Sequence, residues 1–349
     1  MHFTRLTRYA AAFAAPLCLG WTGMAQADAY RVSGPVVHAN LAIYFIHGAS
    51  APGKVPLTLD EALAKGMVKV YETSNVNSLA IENLGSEDIF VQSGDIVKGG
   101  QQDRTLTISM ILPAKSGRVP IAAFCVEQGR WSARGGEDVS TFASSKASLF
   151  SREAKIAMKA PTAQATASSP ARPVEADTGA RQQEIWRAAK AAQDKLSGSV
   201  GGSVAAPQSA SSLQLAYENE KLEGARAGYL KSLLAAGQKD DDIVGYVFAV
   251  NGKINSGDVY ASNGLFRKMW SKQLAATATE AIGEKTAGTS TPPTVAAVQA
   301  FLESAERGKA SDKALPVSNK LETRVGDAAL YFETKRAGGS FVHKNYLMK

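Results

Sequence analysis

The chain has 349 residues, of which 45% are hydrophobic and 20% charged, enough to bury one large core or two modest ones. Its formal charge of +7 is spread thinly. That suits a small anionic molecule or an anionic surface, and it excludes the clustered Lys and Arg of a nucleic-acid footprint.

The first residues read as a secretory leader. Arg5 and Arg8 form a basic start, Tyr9 to Trp21 a short apolar run, and cleavage is expected after Ala27 or Ala29. The run is too short to span a bilayer, and no later segment is long enough, so an exported protein, periplasmic or extracellular, is expected. Cys18 leaves with the leader. Cys125 is then alone, which excludes an intramolecular disulfide. Its neighbours Ala122 to Val126 are apolar, so a small buried hydrophobe is the plain reading and a reactive thiol the sharper one.

From residue 30 onward, Val36-Val37 and Leu41 to Ile46 predict an opening strand or strand pair. Leu59 to Lys65 predicts a short helix, with Thr58 as N-cap for Asp60 and Glu61. Val68 to Tyr71, Ser78 to Asn83 and Ile89 to Gln92 predict strands. From Asp103 to Leu112 polar and apolar residues alternate, and Val119 to Val126 is apolar on both faces. PAKSGR between them has the length of a hairpin loop.

Beyond Trp131 helices are expected around 148–159, over Arg181 to Leu196, Leu213 to Ala236, 263–282 and Thr294 to Arg307. Asn251-Gly252 predicts a type I′ hairpin within Ile243 to Ala261. Leu321 to Thr334 and Ser340 to Tyr346 alternate like edge strands. Ala/Pro/Ser-rich stretches at about 160–180 and 197–212 read as flexible segments. Strands first and helices later make an α+β fold: a mostly antiparallel N-terminal sheet packed with C-terminal helices, a single domain over 30–349.

The chemistry concentrates between Gly94 and Trp131. If Leu112 faces Val119 across PAKSGR, Arg104 faces Glu127 at the open end of the hairpin. A partly buried ion pair is one reading of that match. The other is a binding site. Gly99 and Gly100 would allow close backbone approach, and Arg104 and Arg130 would fork onto oxygens. Gln101, Asp103 and Gln128 would take hydroxyls or amides, Gly129 lies between the polar side chains, and Trp131 would stack on a flat ring or sugar face. Glu127 is the candidate general acid or base if there is catalysis. KGGQQDR is not a P-loop, there is no G-x-S-x-G elbow, and His38, His47 and His343 have no metal spacing, so neither metal nor cofactor is expected.

GDIVKGGQQDRTL with CVEQGRW resembles the signature of the ADP-ribosylglycohydrolase (ARG) and rhodanese-phosphatase-superfamily-associated protein domain family. RQQEIW and GYVFAVNGKINSGDVYASNGLFRKMWSKQL are similar to that family's second half, so the resemblance covers roughly Lys69 to Ile282. It implies a connection with NAD- or ADP-ribose-derived compounds and picks out Gly99, Gly100, Gln101, Asp103, Arg104, Glu127, Gln128, Gly129, Arg130 and Trp131. The expected function is binding of a small anionic or polyhydroxylated ligand, nucleotide- or ADP-ribose-like. A hydrolase using Glu127 and a non-catalytic cell-envelope interaction protein are the alternatives.

Overall fold

The computed structural model describes residues 30–159, 174–288 and 290–349. The leader, and residues 160–173 of the first expected flexible segment, lie outside them. In chain order the first half runs β1 (Arg31–His38), β2 (Leu41–His47), β3 (Leu57–Thr58), α1 (Leu59–Ala64), β4 (Val68–Asn75), β5 (Ser78–Asn83), β6 (Ile89–Val91), β7 (Asp95–Gly99), β8 (Arg104–Leu106), β9 (Met110–Leu112), β10 (Gly117–Cys125) and β11 (Phe142–Ser148). The second half runs α2 (Arg152–Lys159), α3 (Val174–Val200), α4 (Leu213–Tyr217), α5 (Glu220–Leu233), β12 (Ile243–Val250), β13 (Lys253–Tyr260), α6 (Asn263–Gly283), α7 (Val295–Glu306), β14 (Lys309–Ala314), β15 (Lys320–Val325), β16 (Ala329–Lys335) and β17 (Phe341–Met348). The fold is α+β.

Among the described residues three sheets organise the strands. An antiparallel eight-stranded sheet has the order β1-β2-β12-β13-β17-β16-β15-β14, and a six-stranded one the order β11-β7-β8-β10-β5-β4. A small sheet, β3-β6-β9, lies apart from both orders. Every residue of β2 and β12 is buried, as expected for central strands covered on both faces. One face of the large sheet packs on α6 and α5, with α3 packed in turn on α6, and there Trp270 meets Phe45, Tyr246 and Phe266 edge-on or stacked. Its other face takes α7 through Val298, Phe301 and Leu302. The six-stranded sheet closes its own core with α1 through Leu59 and Ala62.

Local signals set several boundaries. Thr58 and Glu61 form a reciprocal capping box on α1. Ser262 and Thr294 cap α6 and α7 through their hydroxyls. Asn251 and Gly252 both have positive φ, 50° and 75°, as a type I′ turn between β12 and β13 demands.

Several expectations need correction. The run from Asp103 to Leu112 is two strands, because Thr107–Ser109 leave the sheet. There the Ser93 hydroxyl donates to the Thr107 carbonyl, and the Ser93 N–H donates to Ser109 Oγ. β9 therefore pairs with β6, and the first half of β10 pairs with β5 from Gly117↔Asn83 to Ala122↔Ser78, so no hairpin forms across PAKSGR. β8 does meet the end of β10, but with Arg104 opposite Cys125, two residues from the expected register.

The second expected flexible segment begins inside a helix, since Ser197–Val200 belong to α3 and 201–212 are mostly turns and loop. Burial of Leu196 and Val204 outweighs the Ser/Gly composition, and Ser197 Oγ joins Gln193 O to the Val204 N–H. α3 also takes in 174–180 of the first segment. The C-terminal strands over 321–334 and 340–346 are not edges: β15, β16 and β17 are interior, and the sheet ends in β1 and β14. Among the described residues no helix is long and apolar enough to cross a membrane.

Candidate functional site

The two halves of the signature meet at the ends of neighbouring strands. β7 ends at Gly99, a tight loop carries Gly100 to Asp103, and β8 begins at Arg104. β10 ends at Cys125, which places Glu127 just past the sheet. Gly100 has φ +55°, and a Cβ there would fall 2.3 Å from the Phe142 ring, so the loop has room for glycine only. Gly99 and Gly129 also hold positive φ.

Asp103, Arg104 and Glu127 are fully buried. Burying charge is costly unless it is paired and hydrogen-bonded, and here the pairing is dense. Arg130 forks onto Glu127, Nε to Oε1 and Nη2 to Oε2, both at 2.7 Å. The Asp103 N–H donates to Glu127 Oε2 at 3.0 Å. Arg134 forks onto Asp103 and reaches Glu127 Oε1 at 3.3 Å and Glu137 Oε1 at 2.9 Å. Arg130 also donates to the carbonyls of Gly99 and Gly100. The Glu127 carbonyl takes the Gln102 amide and the Trp186 indole N–H.

Arg104 does not pair with Glu127. Its Nη1 donates to the Gln102 carbonyl at 2.7 Å and its Nη2 lies 3.5 Å from Glu72 Oε2, while Arg130 and Arg134, one turn of loop further on, take Glu127 instead. Burial pushes the Glu127 carboxyl up, but hydrogen bonds from Arg130, Ser209 and the Asp103 backbone outweigh it, and the net direction is down. Burial works against the Arg134 cation as well, and Asp103 more than reverses it. Cys125 is buried, and burial raises its thiol to about 11.

The outer residues are less committed. Trp131 is 47% exposed, and the Arg104 guanidinium carbon lies 5.6 Å from its ring centroid. The Gln101 N–H donates to Glu72 Oε2 and its side-chain amide to Ser74 Oγ. Arg104 Nε and Gln101 Oε1 are buried without a hydrogen-bond partner. Gln128 is exposed, with its backbone tied to Ser211. An open recess of about 570 Å³ has Arg130, Arg134, Glu137, Gln208 and Leu215 among its walls.

Sequence reasoning missed Glu72, Arg134, Glu137 and Ser212. Arg134 and Glu137 sit in SARGGEDVS, which has no period to read, and Glu72 and Ser212 come from distant segments. One group of described residues has metal-ligand geometry: single ligand atoms of His47, Asp240 and Asp242 lie within 4.8 Å of one another. Asp242 is already paired there with Arg31 and His47.

Searches of curated proteins and of solved structures each gave no significant match. The family model of the ARG and Rhodanese-Phosphatase-superfamily-associated Protein domain matches residues 29–347, well beyond the stretch that carries the sequence resemblance, and the chain belongs to that family.

Proposed function

We propose that this is an exported binding protein whose signature site takes a small polyhydroxylated ligand, ribosyl compounds foremost. The observation that carries the reading is the pairing of an exposed aromatic face with unmet polar atoms. Arg104 Nε is a donor without an acceptor, Gln101 Oε1 an acceptor without a donor, and Trp131 lies against Arg104. A sugar hydroxyl both donates and accepts, and its ring face stacks on indole. Trp131 is the member of this group that meets solvent, at 47% exposure. The family's name, with its link to ADP-ribosylglycohydrolase, points to the same class of compound. Export rests on the leader sequence.

Between the two kinds of ligand expected, the charges favour the polyhydroxylated one. Arg104, Arg130 and Arg134 face Glu72, Asp103, Glu127 and Glu137, so a phosphate would have to displace a buried carboxylate from its guanidinium. Glu127 is poorly placed for acid–base chemistry. Both its oxygens are occupied by donors, and its carboxyl is held ionised.

A thermal-shift panel of ribose, ADP-ribose, nucleosides, sugar phosphates and inorganic phosphate tests the proposal. Ribosyl compounds should raise the melting temperature and phosphate alone should not. A folded protein that no ribosyl compound shifts at millimolar concentration would sink the reading.

A further inference from the structure

A second constellation lines a different cavity, of about 520 Å³, whose walls include Ser109, His343, Lys159, Phe124 and Phe332. Ser109 lies in the break between β8 and β9. Asp258 and His343 stand on the paired strands β13 and β17, where Asp258 faces Asn345 and Tyr260 faces His343. Ser109 Oγ is 3.0 Å from His343 Nδ1, and His343 Nε2 is 3.0 Å from Asp258 Oδ1. The Asp258 carboxylate is fixed by Asn345 Nδ2 at 2.8 Å and by the Tyr246 hydroxyl at 3.0 Å. Ser109, Asp258 and His343 have been brought together from positions far apart in sequence, which is why no motif announced them.

We propose that Ser109, His343 and Asp258 form a nucleophile–base–carboxylate triad that hydrolyses small esters in this cavity. With Nε2–H donated to Asp258, Nδ1 is the free acceptor for the Ser109 hydroxyl proton. The two ring nitrogens are used in the reverse of the familiar serine-protease order, but the chemistry needs only one nitrogen to accept while the other donates. A hydrogen-bonded chain that merely stitched β9 to the large sheet would not need to face a cavity, whereas Ser109 and His343 both line one.

In the first step Ser109 Oγ attacks the ester carbonyl carbon, and its proton passes to His343 Nδ1. The C–O bond to the leaving alcohol then breaks, and that alcohol departs with the proton from His343. Water attacks the acyl-serine and gives its proton to His343. The acyl–Oγ bond breaks, the carboxylic acid leaves, and Ser109 regains its proton. Lys159 is suited to stabilise the oxyanion. Its Nζ donates to Asn345 Oδ1 at 2.6 Å, which uses one of the three donors of an ammonium, and it lies 4.4 Å from the Phe332 ring centroid. Burial brings its amine down to about 7, so the protonated form is present at neutral pH and below. Phe124 and Phe332 make the walls partly apolar, which fits an ester with a short apolar acyl group.

The test uses the folded wild-type protein with a fluorophosphonate probe, mapped by peptide mass spectrometry. Hydrolysis of 4-nitrophenyl acetate and butyrate is measured alongside Ser109→Ala and Asp258→Asn. The expected result is an adduct on Ser109 and hydrolysis reduced about a thousand-fold or more in Ser109→Ala. Absence of an adduct on Ser109, an adduct only elsewhere, or equal hydrolysis by wild type and Ser109→Ala would overturn the triad. If Ser109→Ala does not fold, the wild-type adduct map decides alone.

Discussion

Asp103 and Arg134 meet in a two-point ion pair, Nη1 to Oδ2 and Nη2 to Oδ1, both at 3.0 Å. The pair joins three segments that are remote in sequence. Asp103 also accepts from the Gly99 N–H, which closes its own loop, and from the Ser212 hydroxyl, which caps α4 through the Leu215 N–H. The signature is therefore a clasp, and the proposed ligand rim around Trp131 is built upon it.

Removing Arg134 should strip the clasp of a cation while leaving Asp103 buried. Arg134→Met is expected to cost about 3–5 kcal/mol of stability, the usual loss when one partner of a buried pair is deleted. Equilibrium urea unfolding measures it. A loss below about 1 kcal/mol would mean that water reaches Asp103 and that the clasp is dispensable.

Glu127 gives a pH signature. Its folded carboxyl is held below the ordinary value of 4.5, so its contribution to stability is fully present above that pH and is lost as pH falls through the folded value. Urea midpoints measured from pH 6 downward should fall more steeply in the wild type than in Glu127→Gln, which has no carboxyl to titrate. Parallel slopes would contradict the pairing seen around Glu127.

The turn between β12 and β13 should resist substitution. Gly252 has φ +75°, and a Cβ would lie 2.7 Å from the Thr291 carbonyl. Gly252→Ala is expected to cost at least about 1–2 kcal/mol from the left-handed conformation alone. A melting temperature equal to wild type would show that the turn relaxes freely.

Cys125 should be inert in the folded protein. It is buried, and with its thiol raised to about 11 only about one molecule in a thousand is thiolate at pH 8. Ellman's reagent should react with it only after urea is added. Fast stoichiometric labelling of the native protein would contradict its burial.

Much of the fold was legible because its signals are local. Asn251-Gly252 announced its hairpin, and Thr58 caps its helix as expected. Strand partners were not legible. The alternation from Asp103 to Leu112 does not separate a buried from an exposed face, since every residue of β8 and β9 is buried, and Thr107–Ser109 depart because Ser93, from another segment, takes their polar groups. The same limit governs the site. That Asp103, Arg104 and Glu127 gather at one place follows from strand pairing, but which arginine takes Glu127 depends on the loop geometry after Trp131, where no periodicity survives. Ser109, Asp258 and His343 were unreadable for the same reason, since only tertiary contact relates them.

The rim around Trp131 is tested most directly by isothermal titration calorimetry of ADP-ribose and free ribose into wild type and Trp131→Ala, with unfolding midpoints recorded for both. The expected result is saturable binding to wild type and at least about tenfold weaker binding to Trp131→Ala at an unchanged midpoint, equivalent to about 1.4 kcal/mol of lost stacking and closure. No heat with the wild type, or equal affinity for the two proteins, would contradict a ligand site at the signature and leave the ionic clasp as a purely structural device.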